Sequence, residues 1–152
     1  MAEFYVSLTD QEMSAQVANM LNQYNRWATN FNAWSIANTP ARYFVELDGG
    51  RVVGCASHLQ DYPDLTKIQH ICVLPEYRGR GIAKKLSEMA IRYCITELVY
   101  MTIREDNTAS LALARSLGFV YVTRHWFRDH WTLTFGRRRD HDCRKSGRQM
   151  RN

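Results

Sequence analysis

The chain has 152 residues, 45% apolar and 23% charged, a balance that fits one soluble globular domain and excludes disordered and fibrous classes. No apolar run approaches the ~20 residues of a membrane-spanning helix, and Met1-Ala2-Glu3-Phe4 lacks the basic-then-apolar layout of a secretory leader, so the cytoplasm is the expected compartment. The net charge of +5 equals the balance of the stretch from Gly136 to Asn152, with seven basic and two acidic residues, so residues 1–135 sum to zero.

Glu3 to Ser7 reads as a first strand. Thr9 and Glu12 then have the spacing of a capping box, and Met13, Val17, Met20, Leu21 and Tyr24 follow at helical intervals, which predicts a helix to about Trp27. Residues 28–41 are polar and read as a loop or a short second helix. Two β-rich runs, Arg42–Leu47 and Arg51–Ala56, flank Asp48-Gly49-Gly50 and predict a hairpin. A third strand spans about Thr66 to Leu74 and stops at Pro75. Ile82, Leu86, Met89, Ala90, Tyr93 and Cys94 then mark one face of a helix. Leu98 to Ile103 is a strand, and Asn107 to Leu117 is a helix with Asn107 as N-cap and Gly118 just past its end. Phe119–His125 and Trp131–Phe135 predict a closing hairpin, in which Trp126, His130 and Trp131 read as core or cross-strand aromatics or as the lining of an acceptor groove. The strand at 66–74, the helix after it and the strand at 98–103 form a right-handed crossover, so those two strands are expected side by side and parallel. The last stretch is nearly free of apolar residues and periodicity, which predicts a domain over 1–135 and a flexible basic tail over 136–152.

Cys55, Cys72, Cys94 and Cys143 have no metal-binding spacing and are expected to be reduced thiols, with no metal site. Val73-Leu74-Pro75-Glu76-Tyr77-Arg78-Gly79-Arg80-Gly81-Ile82-Ala83 carries more chemistry: a strand ends, a glycine-bearing turn follows and a helix begins. Such a turn presents several backbone N–H groups on one side, the helix start adds unpaired N–H groups and a positive dipole end, and Arg78 and Arg80 add charge. The combination predicts phosphate or pyrophosphate binding. A dinucleotide fingerprint is excluded because Lys84 stands where it needs glycine or alanine, and a P-loop is excluded because Gly-Lys-Ser/Thr is absent.

Arg78-Gly79-Arg80-Gly81-Ile82-Ala83 resembles the Q/R-x-x-G-x-G/A signature of the GNAT superfamily of N-acetyltransferases, after a strand with the family's Val-x-Pro ending. Asn107 to Phe119 is similar to the family's second cofactor segment, N-x-x-(A/S)…G-F. The resemblance implies a mixed α/β (α+β) fold: a mostly antiparallel central sheet with one parallel, splayed strand pair, flanked by helices. It implies acetyl-CoA as co-substrate. Backbone groups of Ile71, Cys72 and Val73 would pair with the pantetheine arm, and the turn from Arg78 and Gly79 through Arg80, Gly81, Ile82 and Ala83 to Lys84 would hold the pyrophosphate. Asn107 would meet the pantetheine or thioester region while also capping its helix.

The family's acid and base positions are differently filled. The tyrosine expected four residues before Gly-Phe is Ala114, a carboxylate site is Thr102, and the inward positions of the cofactor strand are Lys67 and Gln69. Strand alternation puts His70 on the face opposite Gln69 and Ile71, which predicts a packed histidine. His58, Asp61 and Tyr62 precede the cofactor strand and could reach an acceptor. No catalytic residue is assigned. The leading expectation is acetyl transfer to a primary amine on a small molecule or macromolecule by direct attack in a ternary complex. The alternatives are a degenerate domain that binds acyl-CoA or nucleic acid without turnover, and an acyltransferase acting on nucleic acid or a nucleic-acid-bound target; the basic tail reads either as a nucleic-acid contact or as a solubilising terminus. No membrane partner is expected, and a homodimer is an open assembly.

Overall fold

Alternating β-branched and aromatic runs make seven strands: β1 (Phe4–Tyr5), β2 (Arg42–Asp48), β3 (Arg51–Tyr62), β4 (Leu65–Val73), β5 (Leu98–Arg104), β6 (Val120–Phe127) and β7 (His130–Arg138). The computed structural model describes residues 4–5, 10–25 and 30–139, and within them the strands form one sheet in the order β1-β2-β3-β4-β5-β7-β6. Every pairing is antiparallel except β4 with β5. The parallel pair is the product of the crossover expected from the sequence. The closing hairpin, however, turns back so that β7, not β6, lies beside β5.

Four helices cover the sheet: α1 (Gln11–Tyr24), α2 (Ala33–Ala37), α3 (Ile82–Tyr93) and α4 (Thr108–Ser116). The first is capped by Asp10, whose carboxylate accepts from the N–H groups of Glu12 and Met13; Thr9 and Trp27, named from the sequence for its two ends, lie outside the described residues. The segment left open between loop and helix contains α2, started by a reciprocal Asn32–Ser35 capping box. β3 continues past Ala56 to Tyr62, because its polar end finds a hydrogen-bonding partner along the start of β4.

The sheet is buried from both sides by two apolar clusters. α3 and α4 cover Phe44, Ile68, Val99, Met101 and Phe135, whereas α1 and α2 cover Tyr43, Val45, Val53 and Cys55. Double cover explains why β2 is buried at five consecutive positions instead of alternating with solvent. Cys55, Cys72 and Cys94 are free thiols within these layers.

α3 rests directly on β3 at Gly54. A Cβ there would stand 2.8 Å from Ile82 Cγ2 and 3.3 Å from Leu86 Cδ1. Gly54→Val therefore forces helix and strand apart, and we expect a loss of about 1–3 kcal/mol, read as a lower urea midpoint with an unchanged m-value. An unchanged midpoint would contradict that close contact.

β7 runs to Arg138, past the domain end expected at residue 135, so the boundary between sheet and tail moves toward the C-terminus. Three of the seven basic residues assigned to the tail serve the domain instead. Arg137 Nη1 donates to the Leu117 carbonyl, Arg138 pairs with Glu97 at 3.1 Å, and Arg139 Nη1 donates to the Cys94 carbonyl at 2.7 Å. Arg144, Lys145, Arg148 and Arg151 lie outside the described residues.

Candidate functional site

After Val73 the chain makes a 3₁₀ turn over Pro75–Tyr77 and enters α3 through Arg78–Gly81. Gly79 and Gly81 both take φ +78°, a left-handed conformation that a Cβ would strain. Gly81 is the N-cap, and no side chain bonds the free N–H groups of the first helical turn. A Cβ built at Gly79 or Gly81 meets nothing within 4 Å, so the backbone there borders open space. The result is a cradle of unpaired N–H groups at a positive helix end, suited to an anion. Arg78 is fixed beside it, its Nε donating to the Val73 carbonyl at 3.1 Å and its guanidinium 5.6 Å from the Tyr24 ring. Arg80 is turned away: it stacks on Tyr77 at 4.8 Å and donates to the Glu76 carbonyl at 3.1 Å.

A cavity of about 500 Å³ opens from this cradle, lined by Ile71, Cys72 and Val73 on β4, by the turn and first residues of α3, and by Asn107 and Ser110. Every residue of the expected cofactor set lines it except Arg80. Asn107 keeps its capping role, its Oδ1 accepting from Ser110 N at 3.2 Å.

The cavity exists because β4 and β5 separate. Only Leu65–Leu98, Thr66–Val99 and Lys67–Tyr100 pair, after which the strands diverge. The wedge between them holds a second cavity of about 230 Å³, which shares Ile71, Asn107 and Ser110 with the first and reaches Lys67, Gln69, His70, Thr102 and Arg104.

His70 departs from the expectation drawn from alternation. The β3–β4 register slips between Cys55–Cys72 and Ser57–Gln69, so His70 and Ile71 together face Ala56 in a β-bulge. His70 takes φ +52°, and Gln69, His70 and Ile71 all line the same cavity. Its Nδ1 lies 2.7 Å from the Tyr43 hydroxyl, the two rings stack at 5.9 Å, and Phe31 meets the imidazole edge-on at 5.1 Å. Burial first, then the charge of Lys67, holds the His70 pKa down at about 4, so the ring is neutral at physiological pH. Burial also raises the Tyr43 phenol, which stays protonated. Nothing in Gln69-His70-Ile71 announces the bulge beyond the tolerance of histidine for positive φ.

The other candidates lie elsewhere. His58 is buried under α3 with Nδ1 2.7 Å from the Ala90 carbonyl, and burial lowers its pKa. Asp61 accepts the Tyr100 hydroxyl, and Tyr62 borders a separate apolar groove with Leu65, Leu98 and Val122. Trp126 and Trp131 form a cross-strand edge-to-face pair at 5.3 Å. His130 sits 2.9 Å from Asp129 and 3.3 Å from Arg104 Nη1. Ala114 is fully buried in the core, so α4 presents no phenol at that position. Among the described residues no cluster of His, Cys, Asp or Glu is arranged for a metal ion, and no helix is long and apolar enough to cross a membrane.

Known proteins resemble this chain in sequence and in fold. The sequence model of the acetyltransferase (GNAT) family matches residues 5–119. The N-alpha-acetyltransferase RimI of Mycobacterium tuberculosis is 34% identical over 110 residues, covering 69% of this chain and 70% of its own. The L-amino acid N-acyltransferase MnaT of Escherichia coli is 35% identical over 103 residues, covering 61% and 59%. The structure of yncA, a putative acetyltransferase from Salmonella typhimurium with its cofactor acetyl-CoA, superposes with a TM-score of 0.73 at 20% identity, covering 93% of this chain and 96% of that one. With its family segment spanning β1 to the end of α4, this chain belongs to the GNAT family of acetyltransferases.

Proposed function

We propose that the chain transfers acetyl from acetyl-CoA to a primary amine by direct attack of the amine on the thioester, with both substrates held at once. Family membership makes it an acyl-CoA-dependent N-acyltransferase. The observation that carries the reading is a pair of adjacent cavities: the one above the glycine cradle and the one in the wedge between β4 and β5 share Ile71, Asn107 and Ser110 in their linings. A donor with a diphosphate at one end and a thioester at the other fits that sequence of surfaces.

In this reading the N–H groups from Gly79 to Lys84 hold the diphosphate, and Arg78 adds a charge locked by its bond to Val73. Arg80 contributes its backbone rather than its guanidinium, which is engaged with Tyr77 and Glu76. Ile71, Cys72 and Val73 run beside the pantetheine arm, and Asn107 borders the thioester. Acetyl-CoA supplies the activated acyl group. The amine must be neutral to attack, and the cationic side chains of Lys67 and Arg104 disfavour a protonated amine in the wedge. The positive end of α4, at Asn107, and the same cations favour the departing thiolate, whose ordinary pKa near 8.5 asks for little proton assistance. Positioning of donor and acceptor supplies the greater part of the rate enhancement where no acid is placed.

The relatives reported above are named for N-alpha-acetylation and for L-amino acids, which supports a primary amine as acceptor. A nucleic-acid target ranks second, because Arg137, Arg138 and Arg139 are engaged within the domain. Calorimetry with coenzyme A, together with a thiol-release assay over an amine panel, tests the proposal. We expect saturable binding and amine-dependent thiol release. Binding with no release from any amine would favour a non-catalytic module instead.

A further inference from the structure

The wedge cavity, the acceptor side of the proposed reaction, has a definite charge. Its lining contains two cationic side chains, Lys67 and Arg104, and no carboxylate. Arg104 is matched by Asp106, with Nε 2.7 Å from Oδ1. Asp61, on the strand paired with β4, is occupied by the Tyr100 hydroxyl. Lys67 has no ion pair among the described residues and makes one long approach, 6.0 Å, to the Tyr100 ring. It stands at the last β4–β5 pair before the strands diverge, at the floor of the wedge.

A half-buried cation without a carboxylate partner is an unbalanced charge that a ligand can balance. Its field already crosses the cavity, since Lys67 is the second cause, after burial, of the depressed His70 pKa. A polycationic amine would meet repulsion there, with no acidic side chain to receive its second charge. Gln69 and Thr102, also in the lining, offer neutral hydrogen bonds on the flanks of Lys67.

We propose that the acceptor is a small anionic amine, with a carboxylate next to the amine as in an α-amino acid, and that Lys67 is the residue that receives the carboxylate. This rests on the proposed transfer reaction. With the carboxylate on Lys67, the amine projects up the wedge toward Asn107 and His70, where the thioester arrives. Amine nitrogen and acyl carbon form the new bond, the carbon–sulfur bond breaks, the thiolate leaves, and the amine loses one proton to solvent.

The test uses the full chain and three sets of acceptors: the common L-α-amino acids, their amides, and spermidine. Amides retain the amine but lack the negative charge, and a larger share of their amine is unprotonated, so a preference for acids runs against intrinsic reactivity. We expect kcat/KM for the favoured acid to exceed that for its amide by about 10- to 100-fold, the range of a hydrogen bond to a charged group. Lys67→Met should abolish that ratio mainly through KM, and Lys67→Glu should invert it. Calorimetry of acid and amide against the coenzyme A complex gives a second readout that does not require turnover. Equal binding and turnover of acid and amide, or equal preference in Lys67→Met, overturns the proposal while leaving acetyl transfer intact. Loss of coenzyme A binding by the unmodified protein would instead overturn the reading on which it rests.

Discussion

Gly81→Glu is expected to weaken coenzyme A binding by about 100-fold or more, measured by calorimetry on protein that still melts cooperatively. Two effects add. Gly81 holds φ +78°, where any side chain costs about 1–2 kcal/mol in backbone strain. The new carboxylate also enters the open space above the first turn of α3, where it would compete with a diphosphate for the same N–H groups. Charge-assisted hydrogen bonds contribute roughly 1.5–3 kcal/mol each, so losing even one or two reaches the stated effect. Gly81→Ala separates the terms: it should lower stability as the backbone argument requires while weakening coenzyme affinity much less. Gly50→Glu is the matching control, because Gly50 has φ +80° and open space but lies outside the cavity lining. Gly81→Glu with an unaltered dissociation constant would remove the anion cradle from the account.

His70→Phe carries the second large effect, a change in how stability responds to acid. The folded His70 has a pKa of about 4 against an ordinary 6.5, so between these values the unfolded chain takes up a proton that the folded chain refuses. Stability therefore falls as pH drops from 6.5 toward 4. A shift of that size corresponds to about 3 kcal/mol. His58 is also depressed and tilts the curve the same way, so the diagnostic quantity is the difference between wild type and variant. At neutral pH His70→Phe should be the less stable protein by about 1–3 kcal/mol, because the buried Tyr43 hydroxyl loses its 2.7 Å partner. Near pH 4 the gap should close or reverse, read as the crossing of two denaturant-midpoint profiles. Parallel profiles would mean that the imidazole is solvated and not locked against Tyr43.

The elements of this protein are written in short-range patterns. The glycine spacing at 79 and 81, the Asn107 cap and the helical stripe beginning at Ile82 place the anion cradle and its two helices without reference to distant residues. The parallel pairing of β4 with β5 also follows from order along the chain, because a strand–helix–strand crossover has one favoured hand. Where local readings missed, they missed for want of a partner. Thr9 has the spacing of a cap, and it is the Asp10 carboxylate that receives the N–H groups of Glu12 and Met13. The polar end of β3 reads as a loop until β4 supplies its hydrogen bonds. Arg137, Arg138 and Arg139 look like tail charges until Leu117, Glu97 and Cys94 come beside them.

The chemistry divides along the same line. Sequence by itself determined the family, the fold class and the glycine turn proposed to receive a diphosphate, because these depend on residues adjacent along the chain and on conformations that only glycine takes readily. Tertiary structure alone decided what stands in the wedge between β4 and β5. One extra residue in β4 against β3 reverses the parity of the strand and turns His70 into the cavity. Divergence of β4 from β5 opens the space, and closure by β7 sets Arg104 against His130 at its edge. Register and strand order are settled by pairing between segments far apart in sequence, and no local pattern within Gln69-His70-Ile71 encodes them.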